Sequence, residues 1–249
     1  MSRIFKGKLL APVLLAALSA TLNQPERVSL TAPRTADKDW VRLTCHHAPP
    51  EGTNWSGDYP DCKNKGELLK KGHMEIAVRI ATSDPVWAEQ QARALSFWSA
   101  VLDMNWYPAD KPEDCALAFV DGNPSFMDID TIGIAQMPTW KGFQGLTAVN
   151  LSTSARTPEQ KFRNAVHELG HVWGLEHNPI AASLMCPYDV GTYEVLMTPD
   201  LAALEKRHAL RPGVSREMIV VSGHVPESDL AALRVDTSPS KAGFAGERK

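Results

Sequence analysis

The stretch His167-Glu168-Leu169-Gly170-His171-Val172-Trp173-Gly174-Leu175-Glu176-His177 decides how this chain is read. Two histidines four apart on a helix lie one turn apart on the same face. His167 and His171 can therefore turn two imidazoles toward one ion. A catalytic zinc site takes three protein ligands and keeps one position open. Gly174 supplies a break, because glycine readily adopts the left-handed conformation that ends a helix. The chain can then turn and return His177 as the third ligand. Glu168 follows His167 directly and projects to the side of the ligand face, within reach of a water at the metal. His-Glu-x-x-His by itself also occurs on solvated helix faces; the glycine and the third histidine at fixed offsets favour the metal.

The flanks agree. Thr157-Pro158-Glu159-Gln160 reads as a helix start, with Thr157 as N-cap, Pro158 in the first position and Gln160 completing a capping box. The spacing predicts a helix from Pro158 to about Trp173, closed by Gly174. Downstream stands Ser183-Leu184-Met185-Cys186-Pro187-Tyr188. With this segment, the extended histidine motif resembles the metzincin clan of zinc endopeptidases, and Leu-Met-x-Pro is closest to the matrixin branch. The resemblance covers about residues 72–210 and is dense only over 163–188.

That resemblance implies an α+β fold: a mixed twisted sheet with an active-site helix and a C-terminal helix, preceded by an irregular N-terminal extension. It implies zinc held by His167, His171 and His177, with Gly174 and Met185 as structural support. Met185 would form a hydrophobic floor beneath the metal. Tyr188 stands three residues after Met185, not two as in the astacin-type zinc-contacting tyrosine, so it is not assigned as a ligand. The segment 131–137 would be the edge strand above the cleft, pairing with an extended substrate by strand addition. Gly133 and Ala135 are small enough to let a substrate backbone approach. Tyr188, Val190, Tyr193 and Val195 are candidates for the wall of the pocket beyond the scissile bond.

The implied chemistry is peptide hydrolysis by a zinc-activated water, with Glu168 as general base and then proton donor to the leaving amine. The expected function is a secreted zinc endopeptidase. The alternative is a zinc-holding, non-catalytic module that binds peptides or proteins. A closed structural site would need a fourth ligand, such as Cys45.

The length of 249 residues suits one catalytic domain with extensions, and the net charge of −3 gives no sign of nucleic-acid binding. Arg3, Lys6 and Lys8 precede a short apolar run, Leu9 to Leu18, and small residues follow. Residues 1–20 therefore read as a secretory signal, too short to span a membrane comfortably, with an uncleaved anchor as the other reading. Export to the periplasm or the outside, a peptide or protein substrate, no stable membrane insertion and a monomeric state are expected. Cys45, Cys62, Cys115 and Cys186 suggest two disulfides in an exported chain. Three connectivities are open; Cys45–Cys62 is the local guess, which leaves Cys115–Cys186.

Residues 21–72 lack periodicity and read as a pro-segment, a disulfide-pinned lid or a linker. Cys45-His46-His47 adds the idea of a thiolate that caps the zinc. The catalytic domain is expected over 73–212 and a tail over 213–249. Strands are expected at 74–80, 116–121, 131–137 and 146–151. Asp84 and Pro85 start a helix to about Leu102, with Val86, Trp87, Ala94, Leu95, Trp98 and Val101 as its apolar stripe. Asp121, Asp128 and Asp130 offer oxygen ligands for calcium, though their spacing matches no specific calcium motif. Residues 189–197 read as a loop, and Thr198-Pro199-Asp200 starts a helix to about His208. In the tail, Met218 to Val221 is an apolar run.

Overall fold

Apolar and β-branched residues make Met74–Ile80 a strand, β1, and the sheet grows outward from it. The computed structural model describes residues 62–122, 127, 131–139, 142–153, 156–187, 193–227 and 229. Over these it is a mixed α/β fold with a five-stranded mixed sheet and three α-helices. The strands are β1, β2 (Met104–Pro108), β3 (Leu117–Asp121), β4 (Gly133–Ala135) and β5 (Leu146–Val149), in the spatial order β2-β1-β3-β5-β4. All neighbours run parallel except β4, which is antiparallel to β5 and closes one edge. The expected strand at 131–137 is thus confined to three residues, and that at 146–151 ends in a 3-10 turn at Leu151–Thr153.

Helix α1 (Pro85–Val101) starts as its sequence predicts. The Asp84 carboxylate accepts from the backbone N–H groups of Val86 and Trp87. Trp87, Ala94, Leu95, Trp98 and Val101 are buried, but Val86 is exposed, so it does not belong to the apolar stripe. Trp98 packs edge-on against Trp173 and donates its indole N–H to the carbonyl of Val166, 3.0 Å away. That carbonyl belongs to α2 (Pro158–Val172), the helix carrying the histidine motif. Lys161 of α2 reaches the Asp84 cap at 2.7 Å, and this ammonium is the leading reason the Asp84 carboxyl sits below its ordinary range. The two helices are therefore joined by an indole and a half-buried ion pair as well as by apolar packing.

Two strands lie where the sequence suggested none. β2 was not foreseen. The expected loop at 189–197 contains β6 (Glu194–Met197), which pairs antiparallel with β7 (Met218–Ser222). Every residue of β6 is buried, which a four-residue run cannot reveal by periodicity. Helix α3 (Thr198–Arg207) follows β6 directly.

The cysteine pairing also differs from the local guess. Cys62 is bonded to Cys115 across 53 residues of chain, so neither Cys45–Cys62 nor Cys115–Cys186 forms. The reason is tertiary: the segment at 62 lies beside the start of β3, where Asn64 N–H donates to Cys115 O at 2.9 Å. Cys186 is buried in the turn after Met185, and Cys45 lies outside the described residues, as do the expected signal, the possible thiolate cap and Tyr188. The described end of the expected N-terminal extension packs on the domain, with Leu68 in the main core.

Candidate metal centre

Helix α2 begins with the predicted capping box. Thr157 Oγ1 accepts from Gln160 N–H at 3.2 Å, and Gln160 Oε1 accepts from Thr157 N–H at 3.0 Å. The helix ends in a Schellman arrangement: Gly174 N–H donates to His171 O at 2.8 Å and Leu175 N–H to Gly170 O at 2.9 Å. Gly174 has φ of 87°, the left-handed backbone that such an ending requires of its glycine. The Arg207 side chain of α3 lies across the same glycine, where a β-carbon would meet its Cδ at 2.8 Å.

This ending builds the site. It turns the Leu175 carbonyl back onto His171, whose Nδ1 lies 2.8 Å from it. His167 Nδ1 lies 2.7 Å from the carbonyl of Leu184. A carbonyl only accepts, so both rings must carry their proton on Nδ1, which leaves Nε2 as a lone pair. His171 Nε2 stands 3.2 Å from His167 Nε2 and 3.2 Å from His177 Nε2. The three ring nitrogens all fall within 4.8 Å of one another.

Three converging lone pairs repel one another unless a cation lies between them, and this donor set fits a divalent metal such as zinc. The local electrostatics keep the rings neutral. Burial, followed by the neighbouring His177, pushes His171 down to about 3. Burial pushes His177 down to about 4, although the residue as a whole is the exposed one of the three. His167 lies well below its ordinary value, chiefly through burial and then through the other two rings. All three are unprotonated near neutrality, the state a metal ligand needs.

The turn after the helix supplies the second support. Ser183 Oγ accepts from Met185 N–H at 3.1 Å, and Cys186 N–H closes the turn on Ser183 O at 2.9 Å. Met185 O accepts from the N–H of Asn178, the residue after His177. Met185 is fully buried and its sulfur packs against Gly170, between the first two histidines. Strand β6 straps this turn down: Leu184 N–H donates to Val195 O at 2.7 Å and Val195 N–H to Ala182 O at 2.9 Å. Beneath it, Asp200 accepts from Met197 N–H at 3.1 Å and from Ser183 Oγ at 3.4 Å. Burial pushes the Asp200 carboxyl up to about 6, against those bonds.

Glu168 is only 2 % exposed and takes a 3.3 Å hydrogen bond from Asn164 Nδ2. Gly133 of the edge strand packs against both side chains. Ala135 lies in the same buried strand. Tyr193, expected in a pocket wall, is buried with Ala182, Val195, Met197 and Val225, and its hydroxyl donates to Asp229 at 2.9 Å. Asp121, expected as a calcium ligand, instead accepts from Thr82 Oγ1 at 2.6 Å and from Ser83 N–H at 3.0 Å; Asp128 and Asp130 lie outside the described residues. His177 also lines a cavity of about 550 Å³, bounded by Leu175, Pro199, Ala203, Lys206 and Arg207 among others.

Sequence reasoning missed the residues that act through backbone or through space: the Leu175 and Leu184 carbonyls, Asp200, Asn178 and the closeness of Gly170 to Met185. Only Asn178 left a local trace. Its side chain accepts from Ile180 N–H at 3.0 Å in an Asx turn, which Asn-Pro-Ile could have announced. No protein-family model matches the chain, and no curated protein is similar to it.

Proposed function

We propose that this protein is an exported zinc-dependent endopeptidase of metzincin type. The observation that carries the reading is the convergence of three Nε2 atoms with both orienting carbonyls in place, and a buried glutamate, Glu168, next to His167 on the same helix. A zinc ion there would lower the pKa of a water and polarise the scissile carbonyl. The remaining work belongs to the chain. His167, His171 and His177 would hold the ion. Glu168 takes a proton from the attacking water on its carboxylate and gives it to the amine nitrogen as the peptide bond breaks. β4 is the terminal strand of the sheet, the position at which an extended peptide would add, and its three residues are buried in the chain by itself.

Export is supported by the Cys62–Cys115 disulfide, which belongs to oxidising compartments. No helix among the described residues is long and apolar enough to cross a membrane.

The test is zinc content together with cleavage of denatured casein by the full chain and by Glu168→Gln. Zinc in both proteins and cleavage by the wild type alone is the expected result. Equal cleavage by both would overturn the role of Glu168. Zinc in both and cleavage by neither would direct attention to a latent precursor, tested by removing residues 21–61, or to the non-catalytic binding module.

A further inference from the structure

Asn164 stands one turn before Glu168 on α2, on the same face, and both are 2 % exposed. Its Nδ2 donates to Glu168 Oε1 at 3.3 Å. Charge fixes this orientation: the reversed amide would set a carbonyl oxygen against a carboxylate. The cost of holding it is visible on the other side of the amide. Asn164 Oδ1 is buried without a hydrogen-bond partner among the described residues, a condition that destabilises the fold. An apolar side chain would avoid that cost and lose only the bond to Glu168.

Gly133 closes the other side. A β-carbon there would stand 2.7 Å from Asn164 Oδ1, 2.9 Å from Glu168 Oε1 and 3.0 Å from Glu168 Cγ. Its φ is not positive, so the backbone does not demand glycine. The absent side chain makes room for these two polar groups and for nothing else within that distance.

We infer that Asn164 and Gly133 are positioning residues for Glu168, a tether and a spacer that set where its carboxylate stands. This rests on the peptidase reading for its consequence in catalysis, but the positioning itself can be read without turnover. Glu168 has one rotatable side-chain bond more than aspartate would, and in an open pocket it would sample several rotamers. The amide on one side and the bare Cα of Gly133 on the other bound the space in which its carboxylate stands. Displacement of a reacting group by about 1 Å can cost on the order of 100-fold in rate.

The experiment uses the zinc-loaded full chain carrying Asn164→Leu, Asn164→Asp or Gly133→Ala, each in the wild-type and Glu168→Gln backgrounds. Asn164→Asp keeps the shape and removes the donor, so it serves where Asn164→Leu folds poorly. Three quantities are measured: zinc equivalents, kcat and KM on casein-derived peptides, and the affinity for acetohydroxamate, a zinc chelator that shares a proton with a neighbouring carboxylate. The expected result is unchanged zinc and KM, with kcat lower by roughly 10- to 100-fold. Acetohydroxamate should bind about 10-fold more weakly in the wild-type background and show no further change in Glu168→Gln, the signature of two groups acting as one. Unchanged kcat and hydroxamate affinity, or equal losses in both backgrounds, would overturn the inference. If the wild type cleaves nothing, before or after removal of residues 21–61, while the hydroxamate coupling is present, the positioning stands and the peptidase reading falls.

Discussion

The sulfur of Met185 occupies the space that a side chain on Gly170 would need: a β-carbon there would lie 2.6 Å from Sδ and 3.1 Å from Cε. The helix that presents His167 and His171 thus meets the following turn through bare backbone on one side and a thioether on the other. Gly170→Ala gains about 1 kcal/mol of helix propensity, but overpacking a closed core costs about 1–3 kcal/mol. Met185 is fully buried and cannot swing into solvent, so the cost prevails. Melting of the apo-protein should fall by roughly 2–6 °C, and competition with a chelator should show weaker zinc binding. Met185→Leu, close in volume, should cost less than about 1.5 kcal/mol in the same melting experiment.

Zinc retention should depend steeply on acidity. The three imidazoles are held below their unfolded value near 6.5, with His171 at about 3 and His177 at about 4. Groups depressed in this way contribute stability that is complete above the unfolded pKa and lost as pH falls toward the folded one. The apo-protein should therefore lose stability from about pH 6.5 downward, while zinc should survive dialysis at mildly acidic pH and leave at about pH 4 or below. Full zinc content after prolonged dialysis well below pH 4 would be incompatible with three histidine ligands.

Asp200 titrates in the opposite sense. Burial raises its carboxyl from 3.8 to about 6. Its contribution is present below about pH 4 and lost as pH rises through about 6. Comparison with Asp200→Asn isolates that change from the histidines. The stability of wild type relative to the variant should decline by on the order of 3 kcal/mol between pH 4 and pH 7. Urea titrations at a series of pH values measure it; a difference independent of pH would show that the carboxyl does not titrate in this window.

The disulfide should contribute to stability through the unfolded chain. Cys62 and Cys115 are 53 residues apart, and closing a loop of this size corresponds to about 4 kcal/mol in the chain-entropy account. Replacing both with serine should lower stability by about 2–4 kcal/mol by chemical denaturation. The three histidines lie on other elements, so zinc stoichiometry should remain unchanged below the melting point.

How much of this was legible depends on where each signal resides. The start and end of α2 are local chemistry, a capping box at Thr157 and a left-handed Gly174, and the structure places both where the residues predicted them. The three histidines follow from the same helix and its ending. β2 was hidden because its exposed edge residues, Asn105 and Tyr107, and its terminal Pro108 do not read as a buried strand. Glu194 to Met197 is buried on all sides, so it carries no alternation. The acceptors for His167 and His171 are main-chain carbonyls, which every residue possesses. Asn164 could be seen only once Gly133 had been brought against it.

The pairing of β6 with β7 also has a bearing on biosynthesis. The carbonyl that orients His167 comes from a turn bonded to Val195, and Val195 is registered against Val220. As the chain emerges from the N-terminus onward, all three histidines precede that partner by more than forty residues of sequence. The support for His167 is therefore completed only when the chain has been made as far as Val220. If the three histidines hold a metal, the site that receives it would be fully supported only after β7, the last strand among the described residues, has been made.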